Sequence, residues 1–115
     1  MCVPSCTLEE SFAGRPDQLE ICRAVLALFD PLHVDPVRVG VFLSHDAKFA
    51  ELRPKAHWLS LELHLPRTVH DPRITKHIKV SEDRVVHVVP LVDVHDLDET
   101  VQEWLEEAYL SAAER

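Results

Sequence analysis

Leucines at 59, 61, 63 and 65 constrain this chain more than any other feature. In the run "LSLELHLP" they fall on one side of an extended backbone, while Ser60, Glu62 and His64 fall on the other, with Trp58 in step with them. Strict alternation of this kind belongs to a strand with one apolar and one wetted face. The rest of the chain must then supply more strands beside it and a cover for the leucines.

Further strand signals surround it. "VRVGVFL" alternates Val37, Val39, Val41 and Leu43, and "KFAELRP" reads as a short strand ended by Pro54. After the loop "PRTVHDP", "RITKHIKV" reads as a strand with Ile74, Ile78 and Val80 inward. "SED" then turns into "RVVHVVPLV". Pro90 has no N–H to give a ladder, which points to a free edge there. Short connections favour antiparallel pairing.

Two helices are available as cover. "GRPDQLEICRAVLALFDP" has Pro16 for a first turn, Asp17 and Glu20 near the positive helix start, and Pro31 as a stop. Leu19, Cys22, Leu26 and Phe29 form its stripe, with Ile21, Val25 and Leu28 beside them. "HDLDETVQEWLEEAYLSAAER" places Leu97, Val101, Trp104, Leu105, Ala108 and Ala112 at helical spacing. Asp96 with Glu99 resembles a capping box, and Asp98 adds an acid at the start. The expected fold is α+β: an antiparallel sheet of about five strands, with an N-terminal and a C-terminal helix packed on one face as a two-layer sandwich. Residues 1–11 read as a flexible tail and 12–115 as a single domain. The 115 residues suffice for one core.

Charge is unevenly spread within a net −8. Residues 1–30 hold five acids against two bases, and 93–115 hold eight against one. Residues 31–92 hold nine bases, seven acids and seven of the eight histidines. An acidic chain is repelled by nucleic acid at long range, so high-affinity duplex binding is not expected. No apolar run approaches the ~20 residues of a membrane span, and the start "MCVPSCTLEE" lacks the pattern of a signal peptide. The expectation is a cytoplasmic protein without membrane partners. Cys2, Cys6 and Cys22 form no disulfide framework or zinc knuckle.

Metal and catalytic motifs are weak. His64, His70 and His77 have five and six residues between them, with no H-x-H, H-x-x-x-H or C-x-x-C, so no metal or other cofactor is expected. There is no G-x-S-x-G, phosphate loop or paired acids at glycosidase-like spacing. Cationic residues do gather: Arg73, Lys76, Lys79 and Arg84 surround one hairpin, with His77 and His87 inside it. His87 is in step with Val89 and Leu91, hence inward, and a buried imidazole needs a partner; the Tyr109 hydroxyl or Glu62 is available. Arg73, Lys76, Arg84, His87, Tyr109 and Glu62 are therefore the candidate ligand-binding residues, for an anion, a peptide carboxylate or a phosphate.

Several blocks carry a resemblance: "FAGRP" at 12–16, "KFAELRP" at 48–54, "LSLELHLP" at 59–66, "DPRITKHIKV" at 71–80, "DRVVHVVPL" at 83–91 and "LDETVQEWLEEAY" at 97–109. Together they resemble the small bacterial family known as domain of unknown function 5655. The resemblance implies a stand-alone or fused module with no established activity. It marks Arg73, Arg84, His87, Leu91, Asp98, Trp104, Leu105, Ala108 and Tyr109. Many members look more basic where this chain has "VGVFLS", which weakens an anion-binding role for that strand. Two functions follow as expectations. One is a non-catalytic binding or interaction module for a small anionic ligand or a protein partner, with a homodimer through an edge strand or the Trp58 face as one form. The other is a small hydrolase or transferase using His87 and Arg73.

Overall fold

The computed structural model describes residues 8–37 and 40–113. Cys2, Cys6 and Val39 lie outside them. Three helices, α1 (Leu8–Ser11), α2 (Pro16–Leu26) and α3 (Glu99–Ala113), accompany six strands: β1 (His33–Val37), β2 (Gly40–His45), β3 (Ala47–Pro54), β4 (Leu59–Leu65), β5 (Lys76–Ser81) and β6 (Arg84–Leu91). All neighbours pair antiparallel, in the order β1-β2-β3-β4-β6-β5. The architecture is the α+β sheet-and-helix arrangement expected from the alternation pattern, with one more strand.

The extra strand comes from "VRVGVFL", which is two strands and not one: Val37 pairs with Gly40 across a hairpin. Gly40 lets the start of β2 lie close to β3, because a Cβ there would run into the Leu52 carbonyl. The helical start also lies earlier than residue 12. Ser11, in α1, is buried and donates its hydroxyl to the Val37 carbonyl at 2.7 Å.

Register explains the core. Val41, Leu52, Leu61 and Val89 lie in one cross-strand row, and Leu43, Ala50, Leu63 and His87 in the next. Paired residues share a face, so both rows look towards the helices. Leu59, Leu61, Leu63 and Leu65 are all fully buried, each worth roughly 1.5–3 kcal/mol of transfer free energy. From α3 they meet Val101, Trp104, Leu105, Ala108 and Ala112, and from α2 Ile21, Cys22 and Val25, all in one cluster. Cys22 is an inert part of it: burial pushes its thiol pKa up to about 12.

Three local expectations are corrected. Ile78 and Val80 are 40% and 56% exposed, because β5 is the sheet edge and all six of its residues meet solvent; only Ile74 of that trio is buried. The strand holding Pro90 is not an edge strand, since β6 lies between β4 and β5. Its pairing with β5 nevertheless ends at Val88, so no β5 residue opposes Pro90. Finally, Asp96 caps with Asp93 on a 3-10 turn (Val94–Asp96), while Asp98 begins α3 by accepting the Val101 N–H at 3.0 Å.

A bulge in β3 sets the polar face. Ala50 pairs with Leu43 and Lys48 with Ser44, which leaves Phe49 as the extra residue. Phe49 and Ala50 are both buried, so Lys48 and Glu51 come to the same side despite their odd spacing. There Lys48 donates to Glu51 at 2.6 Å and lies 4.1 Å from the Phe42 ring centroid, while Arg53 bonds Glu51 from the other side. Burial alone would raise the Glu51 pKa, but the bonds and charges of Lys48 and Arg53 outweigh it and hold the carboxyl below its ordinary value.

Trp104 and Trp58 give a contrasting pair. Trp104 is 6% exposed inside the core, whereas Trp58 is 40% exposed in the turn before β4 and not within that strand. Trp104→Ala should cost about 3–5 kcal/mol in urea unfolding, and Trp58→Ala well under about 1 kcal/mol. A small loss at 104 would contradict the packing of α3 described above.

Candidate functional site

The row Leu43–Ala50–Leu63–His87 continues to His77 on β5, so two imidazoles extend the core face towards its open end. Between β4 and β5 the chain passes over the intervening strand through residues 66–75, and there the two histidines take hold of the backbone N–H and C=O of one residue, Val69. The Val69 N–H donates to His87 Nε2 at 2.9 Å, and His77 Nε2 lies 2.7 Å from the Val69 carbonyl oxygen. Because His87 Nε2 accepts, its proton is on Nδ1, which donates to the Val85 carbonyl at 3.0 Å. The rings of His77 and His87 meet edge to face at 5.0 Å, and those of His77 and His70 lie 5.6 Å apart. Among the described residues no group of His, Cys, Asp and Glu has the arrangement to hold a metal.

His87 is fully buried and inward, as its step with Val89 and Leu91 indicates, but its partners are neither Tyr109 nor Glu62. Glu62 pairs with Val88 and thus faces the opposite side of the sheet, 3.6 Å from Arg53. Tyr109 is at the far end of the core. Its hydroxyl donates to the Pro31 carbonyl at 2.5 Å, and its ring is stacked between Phe29 at 4.6 Å and His45 at 3.9 Å.

Arg73 is engaged as well. Its guanidinium bonds Asp71 at 3.2 and 3.4 Å and Asp98 at 2.5 Å, and it lies 5.2 Å from the Trp104 ring centroid. The hydrogen bond to Asp71 leads in raising its pKa, and the two acids are lowered in turn. Three residues marked by the family resemblance, Arg73, Asp98 and Trp104, thus form one contact that ties the 66–75 connection to the start of α3.

Lys76 and Arg84 remain on the β5–β6 hairpin together with Lys79. Among the described residues these three make no ion pair, while Arg23, Lys48, Arg53, Arg67 and Arg73 each do. Lys76 pairs with Val88 and Lys79 with Val85, so the two lysines point to opposite faces. The cations are strung along about 16 Å of strand, at about 3.3 Å per residue, and do not converge on a point. The sixfold candidate set is therefore divided among five places: the hairpin, the clasp on Val69, the α3 start, the aromatic stack and, for Glu62, the opposite face of the sheet beside Arg53. The clasp was hidden in the sequence because its acceptor and donor are backbone atoms of Val69, which no side-chain pattern announces.

Burial is the main cause that lowers the His87 pKa, with the His77 and Arg67 charges adding to it against the Val85 bond. The folded-state value lies below the unfolded imidazole's value of about 6.5. Its contribution is therefore complete above about pH 6.5 and is lost as pH falls through the folded-state value. Urea unfolding between pH 8 and 5 should show this loss in the parent chain and a shallower slope in His87→Gln. Identical slopes would exclude the clasp as a source of acid sensitivity. At pH 8, the variant His87→Leu should lose about 1–3 kcal/mol from the unpaired Val69 N–H alone.

Comparison with known proteins gives one match. Residues 17–112 match the family described as Domain of unknown function (DUF5655). No curated protein and no solved structure matches the chain. The matched span takes in α2 from its second residue, all six strands and most of α3, including the clasp and the Arg73 contact; the block Phe12–Pro16 lies just before it. The chain belongs to the DUF5655 family.

Proposed function

We propose that this domain is a non-catalytic interaction module that accepts an extended acidic segment alongside β5. One observation carries the reading: an edge strand exposed at all six residues bears unpaired cations along its length. An edge strand presents free N–H and C=O groups that a further strand can pair with. The opposite edge, β1, is less suited to this, since Asp35 and Pro36 interrupt it. Lysines on an edge also protect it, by repelling like-charged strands. Two β5 edges from two copies would bring lysines together, so the same residues that oppose a homodimer there favour an acidic partner. Ile78, on the face opposite the helices, supplies an apolar contact between the charges.

A hydrolase or transferase built on His87 and Arg73 has less support. Both nitrogens of His87 are taken by backbone groups, Arg73 is held by two carboxylates, and neither lines the clefts beside α3, β2 or the start of α2.

Fluorescence anisotropy with a labelled peptide of alternating Glu and Val tests the proposal. Saturable binding is expected, weakened about tenfold by Lys76→Glu with Lys79→Glu, a loss of about 1.4 kcal/mol. A peptide N-methylated at alternate amides should not bind, because it cannot complete a ladder. Equal binding of the methylated peptide, or no change in the double variant, would sink the idea.

A further inference from the structure

The connection between β4 and β5 is tied down by two different chemistries. Near its start, Arg67 gives two hydrogen bonds to Glu107 of α3, at 3.0 and 2.8 Å. Near its end, Arg73 bonds Asp98 at the start of the same helix. Between these ion pairs the tie to the sheet is Val69, whose N–H and C=O meet His87 and His77. Of residues 66–72, Val69 and Asp71 are half-buried and the rest are exposed. Lifting this stretch therefore uncovers little apolar surface, as in segments that open locally while a domain stays folded.

The two halves of the clasp answer acid differently. His77 Nε2 gives its proton to the Val69 carbonyl, and it goes on doing so when Nδ1 is protonated as well. His87 has no such freedom. Its Nδ1 already donates to Val85, so a second proton must go to Nε2, where the Val69 N–H points its own hydrogen at the ring. An acceptor bond of 2.9 Å then becomes two donors face to face. The charged groups around the ring do not ease this. His77 faces it from β5 at 5.0 Å with His70 beyond, Lys79 lies in the next inward row beside Val85, and Arg67 adds its charge from the connection. From β4 the neighbour is Leu63, and Glu107 of α3 is bonded to Arg67. Proton uptake at His87 is thus coupled to the departure of Val69. The far end stays fixed in weak acid, because the Arg73 hydrogen bond holds the Asp71 carboxyl, and the Val101 N–H the Asp98 carboxyl, below their ordinary values.

We propose that residues 68–72 form a strap that acid lifts from the sheet, with His87 as the latch and the Arg67 and Arg73 contacts as its fixed ends. Lifted, it bares the His87 imidazolium beside His77 and His70. The latch lies on the inner face of the sheet and does not depend on what pairs with the β5 edge.

Amide hydrogen exchange of the full chain, read by NMR between pH 8 and 5, tests this. The strap is closed above about pH 6.5, and its open population should rise about tenfold for each pH unit below that, until the pH passes the closed-state value of His87. The protection factor of the Val69 amide should fall in that ratio and lie well below those of the β4 amides. About 1 M urea should lower the β4 factors and leave the Val69 factor nearly unchanged, since lifting the strap exposes little surface. His87→Gln should abolish the fall with pH, whereas His77→Gln and His70→Gln should keep it. If His87→Gln does not fold, the His87 ring of the parent chain decides: its titration must share a midpoint with the Val69 amide shift while the β4 signals stay folded. A Val69 factor constant with pH, one equal to the β4 factors at each urea concentration, a fall retained in His87→Gln, or a His87 ring that titrates without moving Val69 would overturn the strap.

Discussion

The packing of α3 on the leucines of β4 is the contact that the rest of the molecule follows from. Leu61 and Leu63 lie in the centre of cross-strand rows, with β3 on one side and β6 on the other, and α3 crosses β2, β3 and β4. Once that face is buried, the residues of the inner strands in register with the leucines are committed to the interior, and those between them to the other face of the sheet. Both His87 and Glu62 obey this rule. Their neighbouring places in the sheet, one residue out of step, give one a dry environment and the other a wet one.

The strand order adds the second constraint. Since β4 and β5 are not neighbours, the 66–75 connection has to pass over β6, and it does so on the side of the core. A connection carries backbone polar groups with it, and groups hidden from water need partners. His87 and His77 serve as those partners at Val69. On this view the histidine-rich segment is an answer to a problem of chain routing, and so is Arg73, which fixes the other end of the connection to Asp98.

The legible part of the sequence was what period and chemistry encode locally. The alternation in 59–65 and the helical spacing from Leu97 to Ala112 specified the two halves of the core, and every residue named there is buried. The inward direction of His87 was also readable. Its partners were not, since they depend on which strands are neighbours. Ile78 and Val80 misled for the same reason: an aliphatic alternation looks alike in a central and an edge strand, and strand order is a property of the whole sheet. Phe49 shows a third limit. A bulge changes the face of every residue beyond it, and nothing in "KFAELRP" signals it.

The three cations of the hairpin, which make no ion pair among the described residues, belong to a chain of net charge −8. Beyond a Debye length of about 8 Å at physiological salt, an acidic segment of the kind proposed would sense little of that charge; in dilute buffer, with a length of about 30 Å, it would sense mainly the repulsion. Moderate salt therefore hides the acidic bulk before it weakens the close contacts at Lys76, Lys79 and Arg84. Association at this edge should be fastest at an intermediate ionic strength, unlike that of an oppositely charged pair, which slows steadily as salt is added.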